Sequence, residues 1–502
     1  MDRRRFCQSA IGAAVAASFP TAQALASALQ ALTTVSANID AITGNGAETI
    51  LQQSNVQDLS DSLRGNLLLP GNAAYETARR VLNESINRHP ALVVQPTGVA
   101  DVRSAVNFAR DNDLLLAVKC GGHSYSGKST CDGGMQLDLS TFRSARVDPA
   151  SRTAYIAGGS LLGELDHEAM ALGLVTTAGT VSHTGVGGLT LGGGFGRLAR
   201  RFGLALDNVK AVDIVTADGE LRHASAAENP DLYWGVRGGG GNFGVVTSFQ
   251  FQLHPMQRQV IGGEVVYPLS EAKNILSFYA DYSANAPDDL YVDLVMQAPA
   301  GGADGAILIH ICYSGPERDA GKLIAPLRKA GTVVNDGIKA TDYVAIQRSW
   351  DSSDPRNEGE YLKSGFTTEI SDKLVHALVD GFEAHPERGT TIFFQHSGGA
   401  IGRVAADATA FAHRYSKHNM FAVVTWPLEQ AAEPHIKYIR QYWAGLEAFT
   451  YGYYTNEVAD EAQSKVHANY QGNFERLLSL KKKYDPANLF RLNANIDPNR
   501  LT

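Results

Sequence analysis

The stretch AVKCGGHSYSG, residues 117–127, sets one histidine, His123, among glycines directly after an apolar run that ends at Cys120. Imidazole can act as base, nucleophile or ligand, and flanking glycines let the backbone approach whatever it meets. Two further glycine-rich runs follow, Gly185–Gly196 and Gly238–Gly244. Glycine loops present bare N–H groups that converge on an anion, and a pyrophosphate needs several such donors. The usual phosphate fingerprints do not fit. No G-x-x-x-x-G-K-[ST] occurs, which argues against a nucleoside-triphosphate loop. No G-x-G-x-x-G sits between a strand and a helix with an acid about 20 residues on, which argues against a Rossmann site. Three glycine runs within residues 121–244, one carrying a histidine, point to a large phosphate-bearing cofactor.

The elements that must position these loops are legible from period and punctuation. ALVVQP (91–96), LLLAVKC (114–120), MQLDLS (135–140) and TAYIAGG (153–159) read as short strands. Val99, Val102, Ala105, Val106 and Ala109 recur at helical spacing, as do Leu162, Leu165, Ala169 and Leu172. The segment 211–225 is a hairpin turning at Asp218-Gly219, and 243–255 alternates as a half-buried strand. Beyond Pro255 the glycine runs thin out. Strands such as GGEVVYPL, YVDLVMQA and GAILIHICYSG alternate with helical stretches such as 371–384, and the end returns to helix before Pro486. The pattern predicts an α+β chain with a lead-in at 27–74, a first lobe at 75–255, a second at 256–450 and a closing segment at 451–502.

With 44% hydrophobic and 19% charged residues among 502, the chain can bury a large core. The formal net charge of −8 and the lack of a basic run exclude nucleic acid as the expected partner. Residues 1–26 carry Arg3-Arg4-Arg5-Phe6, a short Ala-rich apolar stretch and small-residue cleavage sites, an export signal of the twin-arginine kind. That route carries folded proteins, which suits one that loads a cofactor before export to the periplasm or beyond. The apolar stretch is too short to span a bilayer, and no other span is expected. Cys120, Cys131 and Cys312 remain after the leader, with no metal-type spacing, so no metal site is expected. A Cys120–Cys131 disulfide is one possibility for an oxidising compartment.

Four stretches, CGGHSYSG (120–127), GVGGLTLGGGFGRLARRFGLALDNV (185–209), VTADGELRHASAAENPDLYWGVRGGGGNFGVVTSFQFQLHP (215–255) and LKKKYDPANLFRLNANIDP (480–498), together resemble the FAD-linked oxidases of the vanillyl-alcohol-oxidase type. More narrowly they are similar to the berberine-bridge-enzyme-like branch, over Tyr75 to Pro498. The resemblance implies a two-lobed fold. One lobe, built from the early residues plus the tail, binds FAD; the other is an antiparallel sheet covered by helices and meets the substrate. It implies a covalent bond from His123 to the flavin 8-methyl carbon, and cofactor contacts from Gly121, Gly122, Ser124, Tyr125, Ser126 and Gly127. It implies further contacts from Thr184, Gly185, Gly187, Gly188, Gly192, Gly193, Gly194, Gly196, Val246, Asn456, Asn493 and Asn495. The implied reaction is proton abstraction from an alcohol or amine and hydride transfer to flavin N5. Oxygen is the expected acceptor, giving hydrogen peroxide. A dehydrogenase using a quinone or protein acceptor and a non-catalytic flavin-loaded protein are the rival readings. The substrate is a small molecule that the resemblance leaves open among sugars, alkaloids, phenolic alcohols and polyketides.

The sequence departs from its relatives at informative places. Many members add a second flavin bond from a cysteine in G-x-C-P-x-V-G-x-G-G; here that position is Val181, so a single link through His123 is expected. His183 is new two residues later, with contact to flavin or substrate, or simple backbone bonding, as alternatives. The family base lies in Y-x-N-[YF], here Tyr454-Thr455-Asn456-Glu457, which makes Glu457 the candidate base and Tyr454 the next. A one-residue strand shift would instead put Glu457 at the surface. Tyr361, Lys363, Gln395, His396 and Trp426 are candidates for the substrate pocket.

Overall fold

The computed structural model describes residues 34–302, 304–351, 358–457 and 463–499. The expected leader at 1–26 lies outside them. The first sheet is built from short apolar segments. Leu92–Gln95, Met135–Asp138 and Leu116–Lys119 run parallel, and Asn66–Leu68 joins Leu92–Gln95 antiparallel. These strands are buried on both faces, which explains apolar runs without alternation. Helix Val99–Asp111 makes the crossover and buries Val102, Ala105, Val106 and Ala109. The segment that reads as a lead-in belongs to this layer from residue 34 on. It folds as strands Ile39–Ile42 and Glu48–Leu51 and helix Gln53–Ser62, which puts Val56 and Leu59 into the same core as Leu92 and Val106. Its helical signal is two apolar residues at spacing three among polar ones, too sparse to stand out.

A five-stranded antiparallel sheet follows, in the order Leu221–Ser225, Val209–Val215, Val245–Gln252, Thr153–Ala157, Ala145–Asp148. The C-terminal helix Phe474–Tyr484 docks here, and Leu477, Leu480 and Tyr484 share a core with Trp234, Phe243 and Phe249. Lys481 is fully buried. Its ammonium donates to the carbonyls of Asn242 (2.9 Å) and Phe490 (2.8 Å) and pairs with Asp485 at 2.7 Å. A buried charge needs such complete satisfaction, and the result ties the tail to the third glycine run.

The largest sheet among the described residues has eight antiparallel strands. One face carries Leu294, Met296, Ile309, Phe394, Val424 and Trp426 against helices Ala272–Ala284, Asp372–Gly381 and Ala432–Leu446. The alternate residues form the other face, and the register sorts them into rows. Glu264 lies beside His310; Leu308, Val295, Phe393 and Phe421 form an apolar row; Gln297, Thr391, Val423 and Leu362 come next; Thr425 stands beside Glu360. This second face meets the glycine loops. Asn83 donates to the Glu360 carbonyl (2.8 Å), and Arg200, from the segment after the second glycine run, donates to the carbonyls of Ser397 (2.6 Å) and Ala286 (2.7 Å). Among the described residues no helix is long and apolar enough to cross a membrane.

Candidate active site

A cavity of about 890 Å³ lies between the glycine loops and the second face of the eight-stranded sheet. That is large for a small-molecule site, whose volumes run about 300–1,000 Å³. The first two glycine runs cross backbone to backbone. A Cβ on Gly121 would sit 2.4 Å from the Gly185 nitrogen, and one on Gly185 would sit 2.4 Å from that of Gly121, so both positions demand glycine. Gly121, Gly122, His123, Ser124, Tyr125, Ser126, Thr184, Gly185, Gly187, Gly188 and Val246 line the cavity. Gly127 does not; its φ of +70° closes the turn and it packs on Ile86. Gly192, Gly193, Gly194 and Gly196 do not line it either. Their missing side chains admit Asn456, Tyr454, Ala205 and the Ala178 carbonyl respectively. They are close-packing glycines behind the cavity wall.

His123 stands at the centre of a small network. Its Nε2 lies 2.7 Å from Nδ1 of His183, and its Nδ1 lies 3.3 Å from the Thr184 hydroxyl. The His183 ring is held by its neighbour in the chain: Asp351 accepts from the Ser182 N–H (2.8 Å) and hydroxyl (2.6 Å). Val181, at the position where relatives carry a cysteine, lines the cavity. Cys120, Cys131 and Cys312 are all free, so the Cys120–Cys131 disulfide does not form. The Cys120 thiol instead donates to the Gly158 carbonyl at 3.1 Å, and burial pushes it up to about 11.

Tyr454-Thr455-Asn456-Glu457 forms a turn rather than a strand, and all four residues line the cavity. The strand-shift alternative for Glu457 therefore does not arise. Asn456 donates to the carbonyls of Gly188 and Leu189 (both 3.1 Å) and to the Tyr454 hydroxyl (2.9 Å). The Gly194 N–H donates to the same hydroxyl at 2.9 Å, and burial raises that phenol above its usual range. Glu457 lines the cavity, and desolvation pushes its carboxyl up to about 7. Asn493 lines the cavity, and its amide oxygen is buried with no protein donor. Asn495 lies behind it, where its carbonyl accepts from Gln463 at 2.6 Å.

On the sheet side, Gln395 lines the cavity, whereas Tyr361, Lys363, His396 and Trp426 do not. Strand parity is the reason: successive side chains point to opposite faces. Tyr361 accepts from Arg440 of the covering helix at 3.1 Å, and the Lys363 ammonium lies over the Tyr361 ring at 5.9 Å. Trp426 stacks on His435 at 5.5 Å. Buried His396 lies 3.0 Å from the Ser283 carbonyl and is held far below its usual pKa by desolvation. Their neighbours Glu358, Glu360 and Thr425 face the cavity instead. The sequence reading also passed over Trp350, Gln297, Thr391 and the pair His310–Glu264, joined at 2.6 Å. Single polar residues interrupting the apolar strands GGEVVYPL and GAILIHICYSG are the signal that marks this pair.

The cavity fits an FAD on its own features. A Cβ on Gly188, Gly240 or Gly241 would meet no protein atom within 4 Å and would project into space these residues line. Among the described residues no group of three or more His, Cys, Asp or Glu could hold a metal ion.

The family described as FAD binding domain matches residues 90–225, and the family described as berberine and berberine like matches 453–497. The chain is similar to an FAD-linked oxidoreductase of Dictyostelium discoideum, 33% identical over 449 residues, 88% of this chain and 97% of that one. Among solved structures it is similar to 6-hydroxy-D-nicotine oxidase from Arthrobacter nicotinovorans, with a TM-score of 0.80 and 27% identity over 87% of this chain and 98% of that one. It is also similar to BBE-like 1 of Physcomitrella patens, with a TM-score of 0.78 and 26% identity over 87% of this chain and 97% of that one.

Proposed function

Because this chain belongs to the berberine-bridge-enzyme-like branch of the FAD-linked oxidoreductases, in the vanillyl-alcohol-oxidase superfamily, and is thus an FAD-dependent oxidoreductase, we propose that it is an exported oxidase. It holds FAD by one covalent bond, through His123, and oxidises a small alcohol or amine with oxygen as acceptor. FAD bound in the cavity supplies the two-electron acceptor for the substrate's hydride.

The observation that carries this reading is that His123 and Glu457 line one cavity, the Glu457 carboxyl with its affinity for protons pushed up to about 7. A base with a pKa near the working pH is both largely ionised and strong enough to accept a proton. Glu457 takes the proton of the substrate hydroxyl or amine. Tyr454 is less suited, because its raised pKa keeps it a phenol; it fixes the turn through Gly194 and Asn456. The row Leu308–Val295–Phe393–Phe421 gives the substrate an apolar floor flanked by polar side chains. Val181 supports a single flavin bond, since valine has no nucleophile. Export rests on the leader, with its Arg3-Arg4-Arg5-Phe6 and apolar stretch.

The test is direct. Acid-precipitated protein should stay yellow and fluoresce in a denaturing gel, and His123→Ala should abolish that signal. Alcohols and amines, screened without oxygen, should include some that bleach the flavin, with peroxide formed on re-aeration. Retention of acid-stable flavin by His123→Ala would overturn the linkage. Bleaching followed by dye reduction without peroxide would replace the oxidase with a dehydrogenase.

A further inference from the structure

The sheet side of the cavity changes chemistry from its inner end to its mouth. The apolar row Leu308, Val295, Phe393 and Phe421 is innermost. Gln297 and Thr391 stand in the next row, and Thr425 lies beyond them, near exposed Pro299 and Ala300. Trp350 closes the inner end. Its ring is edge-on to Phe393, with centroids 5.5 Å apart and planes at 72°, and edge-on to His310 at 4.8 Å and 75°. It therefore spans strand Leu290–Ala298, which separates the strands of those two residues. Phe393 lies nearly parallel to Phe421, at 5.5 Å and 16°. A flat aromatic floor thus meets an upright aromatic wall.

The wall is fixed from both sides of the chain. Buried Gln347 donates to the Gly179 carbonyl (2.9 Å) and to Asp166 (3.2 Å) and accepts from Arg197 (3.1 Å). Asp351 accepts twice from Ser182, and the Arg197 guanidinium lies over the indole at 5.1 Å. The base turn bounds the opposite side: Tyr454 shares a core with Phe421, and Phe393 packs against that core. A carbon held near Glu457 therefore lies over Phe393, between the turn and Trp350. Polar partners are scarce there. His310 has Nε2 joined to Glu264 at 2.6 Å and Nδ1 buried out of a ligand's reach, and Gln395 accepts from Asn419 at 3.3 Å. Hydroxyls brought to this end would give up water for too few partners. An unsaturated ring would gain stacked and edge-on contacts instead.

We propose that Trp350 is a specificity-determining residue, and that it selects a substrate whose reacting carbon is joined to a flat unsaturated group. The inference rests on the oxidase reading of this cavity and names its substrate class, benzylic or allylic alcohols and amines. The flat group lies on Phe393 and Phe421 against Trp350, and hydrogen-bonding substituents point outward to Gln297, Thr391 and Thr425. Hydride leaves the reacting carbon for the flavin, the hydroxyl or amine proton goes to Glu457, and the product is a conjugated carbonyl compound or imine. Oxygen takes up the two electrons as hydrogen peroxide. A saturated ring of the same size is thicker and has no π face to pair with the indole. A sugar would carry hydroxyls into the apolar end.

The test uses full-length, flavin-loaded wild type, Trp350→Ala, Trp350→Leu and Trp350→Phe. The probes are benzyl alcohol, cinnamyl alcohol, cyclohexylmethanol, glucose and cellobiose. Anaerobic bleaching against probe concentration separates apparent Kd from limiting rate, and the affinity of a probe that does not bleach is read by competition with benzyl alcohol. In wild type the two aryl probes should bleach the flavin and bind more tightly than cyclohexylmethanol, and the two sugars should do neither. Trp350→Ala should raise Kd for the aryl probes about tenfold, the scale of a lost aromatic pair, and leave that of cyclohexylmethanol nearly unchanged. Trp350→Phe, which keeps a ring, should restore most of the preference, whereas a merely structural role would weaken all probes alike. If Trp350→Ala loses its flavin, the other two variants decide: an aryl preference lost in Trp350→Leu and kept in Trp350→Phe supports the proposal, and equal preference in both overturns it. An aryl preference that survives in Trp350→Ala overturns it too. Wild-type bleaching by a sugar, by cyclohexylmethanol or by any other alcohol or amine in preference to the aryl probes overturns the inference and leaves the oxidase standing. A flavin that no alcohol or amine bleaches refutes the oxidase reading and this inference with it.

Discussion

Removing the Glu457 carboxyl while keeping its shape separates its chemistry from its structural effect. In the folded chain, burial lifts this group from the ordinary 4.5 to about 7. The ionised form is therefore the disfavoured one, and the sign of both consequences follows. For stability, a raised carboxyl pKa means that stability is lost as pH rises from about 4.5 through 7. The loss amounts to about 3 kcal/mol at full ionisation, since one pK unit is about 1.4 kcal/mol. Glu457→Gln carries no such burden, so it should unfold at a higher temperature than wild type at pH 8 and at nearly the same temperature at pH 4.5. For catalysis, the carboxylate is the active form. Wild-type flavin bleaching by an alcohol or amine substrate, followed anaerobically by stopped flow, should rise with pH through an inflection near 7 and then level. Glu457→Gln should be slower by about 10²–10⁴-fold at the plateau, and the inflection should vanish. Stability and activity thus move in opposite directions in one variant. A Glu457→Gln enzyme that bleaches at the wild-type rate with the same pH profile would refute the assignment of the base. An unchanged difference in unfolding temperature between pH 4.5 and 8 would refute the burial argument beneath it.

Three further outcomes are expected. Gly188→Leu should fold as well as wild type, since its Cβ meets no protein atom and Gly188 lies in helix Val186–Gly192, yet it should lose most bound flavin, read as the ratio of 450 nm to 280 nm absorbance. Tyr454→Phe leaves the buried Gly194 N–H without its acceptor and should destabilise the chain by about 1–3 kcal/mol in denaturant melts, with a far smaller effect on bleaching than Glu457→Gln. Arg414 is wholly buried and holds Asp207 through two 2.8 Å bonds, so Arg414→Ala should destabilise by about 3–5 kcal/mol, whereas an exposed pair such as Lys465–Glu447 should be nearly silent in the same melts.

The parts of the site that local chemistry dictates were legible in the sequence. A histidine in a glycine loop needs no tertiary knowledge to stand out, and the family pattern marks Val181 as standing in place of a cysteine, whereas the crossing of two backbones at Gly121 and Gly185 shows only in the fold. Strands and helices of the first lobe were legible for the same reason: Val102, Ala105, Val106 and Ala109 mark a face whatever they pack against. What failed was parity. Strand Glu358–Thr367 is buried along both faces, so nothing in its composition says whether Glu360 or Tyr361 looks toward the loops. Only the helices covering one side of the sheet decide it, and they come from segments far away in the chain. The same ambiguity placed His396 and Trp426 on the wrong side and Gln395 on the right one.

The glycines of the second run failed differently. Gly188 leaves space for a ligand, whereas a Cβ on Gly187 would sit 3.1 Å from the Gly158 carbonyl and Gly192, Gly193, Gly194 and Gly196 leave space for Asn456, Tyr454 and other protein atoms. Composition cannot tell these two uses apart, because both require the absence of a Cβ. What distinguishes them is the partner, and for Gly192 and Gly193 that partner is the tail turn some 260 residues later. The turn therefore depends on the glycine run as much as a cofactor does: Asn456 reaches the Gly188 and Leu189 carbonyls only because Gly192 has no side chain, and Glu457 faces the cavity because Asn456 is so held. Substituting Gly192 should consequently damage the base rather than the flavin site. Gly192→Ala would put its Cβ 2.0 Å from the Asn456 oxygen, so bleaching should slow and its pH inflection should shift while acid-stable flavin is retained. Loss of flavin with an unshifted inflection would show instead that Gly192 belongs to the cofactor cradle.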